Sequence, residues 1–329
     1  MHTWNYKSFT EREIEKMSKI KKQIDNIKKY GIAYEVNLVL YKCAIISGKT
    51  FFNQMTQKQR EEILKEIYFE RTGNRLHLDN PSRFTEKVQW SKLYENSKIK
   101  TELADKFLVR EWIRRKIGED TLIPLLGVWD RVEDIDISSL PEKFVLKCNH
   151  GSHMNIVIQD KNSVDWNEIR HRLNKWMKED YGVLDFETHY IDIPKKIIAE
   201  KYMKDSESKE LLDYKFYCFN GKPYYCQVIT DRSSHECIDF FDMNWVHQPF
   251  TGLADCDNSD FEVKQPKTFE KMKKYAEKLS EQFSFVRVDF YEINGELYFG
   301  EMTFTPNSGF GHFNPDRWDY VLGELWNIK

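Results

Sequence analysis

Residues 285–303 read FVRVDFYEINGELYFGEMT, two apolar runs separated by the dipeptide Asn294-Gly295. Such runs on either side of Asn-Gly predict a β-hairpin. Each run also carries a carboxylate, Asp289 in the first and Glu301 in the second, where a core strand would be uniformly apolar. Burying two neighbouring carboxylates is costly unless a cation neutralises them, and Mg²⁺ commonly takes one or two carboxylates together with substrate phosphates. The hairpin therefore predicts a metal–nucleotide site.

The register of this hairpin decides whether the two carboxylates can act together. Side chains alternate between the two faces of a strand, so Arg287, Asp289 and Tyr291 share one face. A regular two-residue turn would place Asp289 opposite Gly300 and leave Glu301 facing away. A shared metal site therefore predicts an odd-length loop or a bulge that brings Asp289 opposite Glu301.

The composition is typical of a folded protein with a small net charge. At 329 residues the chain can bury a large core and form two or three structural units. Charged residues make up 31% and aromatic residues 15%, which argues against general disorder. The formal net charge is only −3, so bulk attraction to nucleic acid is not expected.

Three features predict a cytoplasmic protein. The first residues, MHTWNYK, lack the apolar core of a signal peptide. The longest apolar segment, 32–46, is interrupted by charged residues and is too short to span a bilayer. The six cysteines form no CxxC pair and no zinc-like spacing with histidine, a pattern typical of reduced and mostly buried thiols.

The periodicity of apolar residues predicts an α+β fold. Three- and four-residue spacing predicts helices in the first part of the chain, and β-like runs follow from about residue 120. We expect a mainly helical region over 1–119 and two α+β segments over 120–204 and 205–329. The predicted helices cover 10–30, 57–70, a segment starting at Asn80-Pro81 and running through Trp90, 101–117, 166–178 and 267–283; the predicted strands cover 123–129, 144–147, 156–159, 196–203, 214–219 and 224–229.

Between two predicted strands lies KCNHGSHMN, residues 147–155. A short loop of Gly, Ser and Asn can turn several backbone N–H groups toward one point, and Lys147 adds a charge suited to phosphate. The loop matches neither a Walker A motif nor GxGxxG, and an ordinary polar hairpin loop is the alternative. Lys147 closes an apolar strand where a lysine has no packing role, which favours phosphate binding. His150 and His153 have no third ligand nearby, so we expect loop donors or surface histidines, not metal ligands.

Two further motifs are weaker. In IIAEKYM, residues 197–203, an acidic residue after a buried strand is typical of a hinge against which a purine lies, although a strand ending in a charged turn is as plausible. In DYKFYCF, residues 213–219, alternation places Asp213, Lys215 and Tyr217 on one face. A lysine there suggests an anionic ligand, but half-exposed strands carry lysines routinely.

In this order, the motifs resemble the ATP-grasp superfamily, and specifically its proteins similar to TupA of teichuronopeptide biosynthesis. The resemblance extends from about residue 60 to the end of the sequence and implies an ATP-grasp fold, with ATP held between two α+β subdomains. It is carried by Asn80, Pro81, Phe84, Glu86, Lys87, Trp90, Asp105, Lys106, Arg110, Leu140, Pro141, Phe144, Lys147, His150, Ser152, Asp213, Lys215, Phe219, Gly221, Arg287, Asp289, Tyr291, Glu301, Thr303, Pro306, Ser308, Phe310, Phe313, Pro315, Trp318, Asp319, Leu322 and Gly323.

The resemblance also implies roles for individual residues. Glu200 through Met203 would form the adenine hinge, and Asp213 would reach the ribose. Two departures from the superfamily pattern stand out. Thr303 occupies the place of a common metal-binding Asn, so one Mg²⁺ ligand would be either weaker or supplied by Asn307. His153 stands where a second glycine is common in the phosphate loop. The implied residues are Lys106, Lys147, His150, Gly151, Ser152, Glu200, Lys201, Met203 and Asp213 for ATP, Lys215 and Arg287 for catalysis, and Asp289, Glu301, Thr303 and Asn307 for Mg²⁺.

The activity implied by the resemblance is that of an ATP- and Mg²⁺-dependent carboxylate–amine ligase acting through an acyl phosphate. Its expected partners are small molecules, an amine or amino acid and a uronic-acid sugar, in capsular or surface polysaccharide biosynthesis. A sugar kinase, a glycosyltransferase and a non-catalytic binding module are the alternatives. Neither a nucleic-acid partner nor a membrane span is expected. Specificity is expected from loops such as 231–260, but the sequence identifies neither the acceptor nor the oligomeric state.

Overall fold

The computed structural model describes residues 21–206, 211–230 and 235–328. Its contacts divide the chain into two compact units, residues 1–75 and residues 76–329. The finer boundaries expected from the sequence, after residues 119 and 204, stay predictions.

The first unit is helical where it is described. Residues 21–30 are helical, and α1 (Ile32–Gln54) and α2 (Gln57–Thr72) follow. Thr56 begins α2 with a capping box, in which its hydroxyl accepts from the Gln59 N–H and its own N–H donates to the Gln59 side chain. The N-terminal half of the helix predicted over 10–30 lies outside the described residues. None of the described helices has both the length and the apolar character needed to cross a bilayer.

The second unit contains the candidate site. Its helices are α3 (Phe84–Tyr94), α4 (Lys98–Ala104), α5 (Val109–Ile117), α6 (Trp166–Lys178), α7 (Tyr181–Leu184), α8 (Phe269–Ser280) and α9 (Arg317–Leu325). Its strands are β1 (Leu125–Trp129), β2 (Phe144–Cys148), β3 (Asn155–Ile158), β4 (Ile197–Lys201), β5 (Asp213–Phe219), β6 (Lys222–Thr230), β7 (Cys237–Asp242), β8 (Thr251–Gly252), β9 (Phe285–Ile293), β10 (Glu296–Thr303) and β11 (Phe313–Asn314).

Two antiparallel sheets organise this unit. The first has the order β1-β4-β2-β3, and the second has the order β10-β9-β5-β6-β7. Helix α6 packs on the first sheet through Ile169 and Leu173, which share a core with Leu146 and Ile158. The short strands β8 and β11 pair with each other. The predicted mixed fold with antiparallel hairpins is therefore confirmed.

The two faces of β5 differ as its alternation predicts. Tyr214, Phe216 and Cys218 belong to the core shared with α8. Tyr217 and Phe219 belong to the core on the other side, which also contains Phe84 of α3 and Trp326 after α9. Asp213 and Lys215 continue this second face. The strand is buried along its whole length, so Lys215 is not the half-exposed lysine of an ordinary surface strand.

The two predicted helices that differ most from the structure are the one starting at Asn80-Pro81 and the one over 101–117. The helix expected to start at Asn80-Pro81 begins at Phe84, because the Glu86 carboxylate accepts from the N–H groups of Ser82 and Arg83 and fixes the first turn there. The helix expected over 101–117 is broken at Asp105, whose carboxylate accepts from the N–H groups of Phe107 and Leu108 and so stabilises a turn before the second helix begins at Val109.

The segment 231–260 was expected to consist of loops, which is wrong for Cys237–Asp242 and Thr251–Gly252. Strand β7 forms the edge of the second sheet and pairs with β6 from Cys237 to Asp242. The polar composition of the segment did not indicate a buried strand. Asp239 is nevertheless only 1% exposed, because its carboxylate is hydrogen-bonded to His247 and Ser259.

Candidate functional site

A cavity of about 220 Å³ lies between the two sheets of the second unit. The first sheet contributes β4 and the loop between β2 and β3, and the second sheet contributes β5, β9 and β10. The charged and polar side chains that line it are Lys106, Arg110, Lys147, Ser152, His153, Asn155, Glu200, Asp213, Lys215, Asp289, Tyr291 and Glu301.

The hairpin of β9 and β10 contains the irregularity predicted from its sequence. Ile293 pairs with Glu296 across a two-residue turn, and this regular register continues as far as Phe290 and Phe299. It then shifts, so that Asp289 pairs with Glu301 and Gly300 is the bulged residue. A Cβ at Gly300 would lie 3.0 Å from the Asp289 carbonyl oxygen, so the bulge favours glycine. The predicted pairing of the two carboxylates is confirmed.

Arg287 binds both carboxylates of this hairpin. Its Nε and one terminal nitrogen each lie 2.7 Å from an oxygen of Asp289, which is a bidentate pair. The same terminal nitrogen lies 3.0 Å from Glu301 Oε1 and 3.0 Å from the Thr303 hydroxyl. That hydroxyl in turn lies 3.0 Å from Glu301 Oε1. Arg287 is 9% exposed, so these charge-assisted bonds lie in a largely water-free environment.

Lys215 provides a second internal cation. Its ammonium lies 2.7 Å from Asp289 Oδ2 and 3.6 Å from Asp213 Oδ2. The Asp289 side chain is only 1% exposed, and both of its oxygens accept hydrogen bonds. The chain's own cations therefore neutralise the buried carboxylate, and a metal is not needed for that purpose.

Glu301 differs from Asp289 because its side chain is 42% exposed. Burial would raise the pKa of Glu301, but Arg287, Lys106 and Lys215 outweigh it and lower the pKa to about 2. The carboxylate is thus ionised at neutral pH and opens toward the cavity, as a Mg²⁺ ligand must. No group of three His, Cys, Asp or Glu side chains suited to a metal was found in residues 21–206, 211–230 and 235–328.

A second group of cations lies on the first sheet. Lys147 Nζ lies 2.6 Å from Glu200 Oε2, and Arg110 lies 2.9 Å from Glu200 Oε1. Lys106 precedes α5, and its ammonium donates to the Gly151 carbonyl. Burial lowers the pKa of Lys106. The Glu200 side chain is therefore an ion-pair partner as well as part of the predicted hinge.

The loop 147–155, which was predicted to bind phosphate, packs closely against neighbouring side chains. Gly151 is buried, and a Cβ there would meet the Tyr181 ring at 2.8 Å. His153 adopts a positive φ of 58° at the place where the superfamily commonly has glycine. Ser152 lines the cavity, whereas His150 and Gly151 do not.

His150 is a loop donor, one of the two roles expected from the sequence, and is not a surface histidine. It is 1% exposed, and its Nε2 lies 3.1 Å from the Trp176 carbonyl at the end of α6. Its Nδ1 is buried without a hydrogen-bond partner. Burial lowers the pKa of His150 to about 4, so the ring is neutral at pH 7. The side chain ties the loop to α6.

The remaining candidate residues do not line the cavity. Lys201 ends β4 with its N–H bonded to the Pro124 carbonyl, and Met203 follows outside the strand. The Asn307 amide donates to the Leu253 carbonyl, and its side chain is exposed. Of the two residues considered for completing the metal site, Thr303 is the one that contacts Glu301.

Sequence reasoning assigned no role to Arg110, although the structure places it in the cavity. Its position four residues after Lys106 was visible in the sequence, but its partner Glu200 lies 90 residues away. The contact depends on how α5 packs against β4, which periodicity does not specify.

Comparison with known protein families identifies the chain. The family model described as TupA-like ATPgrasp matches residues 86–327, well over half of the sequence. The chain belongs to the TupA-like ATP-grasp family. The predicted family and ATP-grasp fold are therefore confirmed, and the match covers every cavity residue named above.

Solved ATP-grasp ligases resemble the TupA-like chain only distantly. D-alanine–D-alanine ligase from Bacillus anthracis, complexed with ATP, is 15% identical with a TM-score of 0.37, over 61% of this chain and 55% of that one. The Helicobacter pylori D-alanine–D-alanine ligase is 12% identical with a TM-score of 0.38, over 75% and 70%. L-amino acid ligase from Bacillus licheniformis is 11% identical with a TM-score of 0.39, over 66% and 47%.

The chain spans 55% of the Bacillus anthracis ligase complexed with ATP and 58% of a second structure of that ligase, so it does not match them over their whole length. A search of curated protein sequences found no match.

Replacing Arg287 by Met is expected to destabilise the second unit strongly. The substitution leaves Asp289 with one cation in place of two, and breaking a buried ion network by removing one partner typically costs about 3–5 kcal/mol. Arg287→Lys is expected to cost less because it keeps the charge. Chemical denaturation measures the free energy of unfolding, with the exposed Arg170→Met as the control, which is expected to stay within about 0.5 kcal/mol of the wild type. An Arg287→Met protein as stable as the wild type would contradict the network.

His150 predicts a specific pH dependence of stability. Its pKa is about 4 in the folded state, whereas an unfolded histidine has a pKa of about 6.5. Between these values the unfolded chain binds more protons, so stability falls as pH drops from 6.5 to 4. The group contributes at most about 3 kcal/mol to this loss.

Other buried histidines also contribute to the change of unfolding free energy with pH. The contribution of His150 is therefore tested by comparing this pH dependence between His150→Gln and the wild type. Denaturation at pH 7 and at pH 5 is expected to give a smaller loss for His150→Gln than for the wild type. The exposed His153→Gln on the same loop is the control and is expected to retain the wild-type slope. Equal slopes for all three proteins would show that His150 is not the buried neutral group described.

Proposed function

We propose that this chain is an ATP- and Mg²⁺-dependent carboxylate–amine ligase that acts through an acyl phosphate. The observation that carries the proposal is the cavity in which cations from both sheets face the paired carboxylates Asp289 and Glu301. Membership of an ATP-grasp family supports the same reading. The usual reaction of ATP-grasp proteins is the activation of a carboxylate for attack by an amine.

The arrangement of charges suits a nucleoside triphosphate. Lys106 and Lys147 line the cavity from the first sheet's side, and Lys215 lines it from the second. Ammonium groups on both sides neutralise a phosphate chain laid between them. Ser152 in the glycine-containing loop adds a hydroxyl donor.

Glu301, with Asp289 beside it and the Thr303 hydroxyl within reach, is the proposed Mg²⁺ site. The oxygen donors are of the hard type that Mg²⁺ selects, and the exposed Glu301 carboxylate leaves room for phosphate oxygens and water. When bound there, the ion would neutralise charge on the transferring phosphoryl group.

The chemistry needs little covalent participation by the protein. A substrate carboxylate oxygen attacks the γ-phosphorus, and the bond from that phosphorus to the β–γ bridging oxygen breaks, which gives an acyl phosphate and ADP. An amine nitrogen then attacks the acyl carbon, phosphate leaves with the C–O bond electrons, and the nitrogen loses a proton. Positioning and charge stabilisation therefore dominate catalysis, and Arg287 and Lys215 are placed to stabilise negative charge in both steps.

The substrates we propose are a uronic-acid sugar as carboxylate donor and an amino acid or similar amine as acceptor, in surface or capsular polysaccharide biosynthesis. Similarity of the family to TupA of teichuronopeptide biosynthesis supports this part of the proposal. A bare carboxylate is a poor electrophile, so joining it to an amine requires the activation described above.

The proposal is tested by incubating the protein with ATP, Mg²⁺ and panels of uronosyl sugars and amino acids. Phosphate release is expected only when both substrates are present, and mass spectrometry is expected to find an amide. A stable phosphorylated sugar would identify a kinase instead. Phosphate release without a need for the amine would count against the ligase, and preferential binding of a nucleotide-sugar over ATP would favour glycosyl transfer.

Asp289→Asn and Glu301→Gln are expected to lower ATP turnover by about a hundredfold or more, because each removes charge where phosphoryl transfer requires a metal. Circular dichroism is expected to find both variants folded, with Asp289→Asn less stable to heat because Arg287 and Lys215 lose the charge of their shared carboxylate. The matched control is Glu296→Gln, an exposed residue at the start of β10, which is expected to keep wild-type turnover. Full turnover in the Glu301→Gln variant would overturn the proposed metal site.

A further inference from the structure

Arg110 belongs to a three-residue ion network with Glu200 and Lys147, the proposed phosphate-binding lysine. Glu200 Oε2 accepts from Lys147 at 2.6 Å, and Glu200 Oε1 accepts from Arg110 at 2.9 Å. Each oxygen of one carboxylate therefore serves a different cation. The Arg110 and Glu200 side chains are 11% and 10% exposed, so solvent screens their interaction only partly.

The backbone explains why these three side chains meet. Val145 of β2 pairs with Glu200 of β4, so Lys147, two residues along β2, lies on the same face as Glu200. Arg110 reaches this face from the first turn of α5, and its second terminal nitrogen donates to the Ile123 carbonyl at 2.7 Å. The guanidinium is thus fixed at both ends.

The charges of this network add up to one net positive charge. Without Arg110, the Glu200 carboxylate would neutralise Lys147 alone, and the pair would present no net charge to an anionic ligand. Because Arg110 takes one oxygen of Glu200, Lys147 retains a net attraction for phosphate. Arg110 cannot lose its proton at physiological pH, which makes it suited to a permanent role of this kind.

We infer that Arg110 is a positioning residue for nucleotide binding: by sharing the Glu200 carboxylate, it keeps the Lys147 ammonium available to the phosphates of ATP. This inference rests on the proposed function, since it assumes that the ligand carries phosphates. It assigns a separate purpose to the Glu200 side chain, which holds Lys147 in place while the backbone of the same residue belongs to the hinge.

A charge-restoration experiment tests the inference. Arg110→Gln removes the charge but keeps a donor for the Ile123 carbonyl, and it is expected to weaken ATP binding by about tenfold, as for the loss of one partly buried charge. Adenosine has no phosphate and is expected to bind Arg110→Gln as it binds the wild type. In the double variant Arg110→Gln/Glu200→Gln, the network again carries one net positive charge, and ATP affinity is expected to return to within about threefold of the wild type.

Isothermal titration calorimetry with ATP and with adenosine provides the measurement, and thermal unfolding is recorded for every variant. Arg114→Ala on the same helix is the control: it loses surface ion pairs with Glu111 and Glu119 and is expected to bind ATP normally. If Arg110 acted only as a tether for α5, Arg110→Gln would lose ATP and adenosine affinity alike, and the second substitution would not restore ATP binding. That result would overturn the inference.

Glu200→Gln alone keeps the test decisive if Arg110→Gln does not fold. The Gln amide keeps an oxygen that can accept from Lys147, and the substitution raises the net charge of the network. Glu200→Gln is therefore expected to bind ATP at least as tightly as the wild type, and a clear loss of ATP affinity would contradict the inference. If the wild type binds no ATP, the proposed function and this inference both fail. If the wild type binds ATP but the double variant does not regain affinity, only the inference fails.

Discussion

The bidentate pairing of Arg287 with Asp289 is the interaction on which the site depends. It lies in the core of the second sheet, where an isolated carboxylate would cost several kcal/mol. Lys215 on the neighbouring strand completes the neutralisation. The bulge at Gly300 then brings Glu301 opposite Asp289 while leaving the Glu301 carboxylate open to the cavity. One buried and one accessible carboxylate result from a single register shift.

The cavity combines two ion networks built on different principles. On the second sheet, Arg287 and Lys215 surround the buried Asp289 carboxylate, and Arg287 also contacts the half-exposed Glu301, the proposed metal ligand. On the first sheet, two cations share Glu200, so that one of them retains its attraction for anions. A triphosphate is negatively charged and its metal ion is positively charged. The cavity is lined by both lysines and carboxylates, so its charges are complementary to both.

Local sequence predicted what depends on strand alternation and turn chemistry. The carboxylate parity at Asp289 and Glu301 required a bulge because side chains alternate with a period of two, and Asn294-Gly295 fixed the turn. Contacts between segments that are distant in the sequence could not be predicted from it. The burial of His150 depends on the end of α6, and the partner of Arg110 lies on β4. Strand β7 was not predicted because an aspartate is typical of a surface position. Its burial depends on hydrogen bonds to His247 and Ser259, which sequence pattern does not indicate.

The most direct test of the central claim is a crystal structure with a non-hydrolysable ATP analogue and Mg²⁺. We expect the analogue between the two sheets, with its phosphates against Lys147 and Lys215 and the ion in contact with Glu301. An analogue bound elsewhere on the chain, or a cavity that stays empty at a concentration saturating any binding seen in solution, would contradict the account.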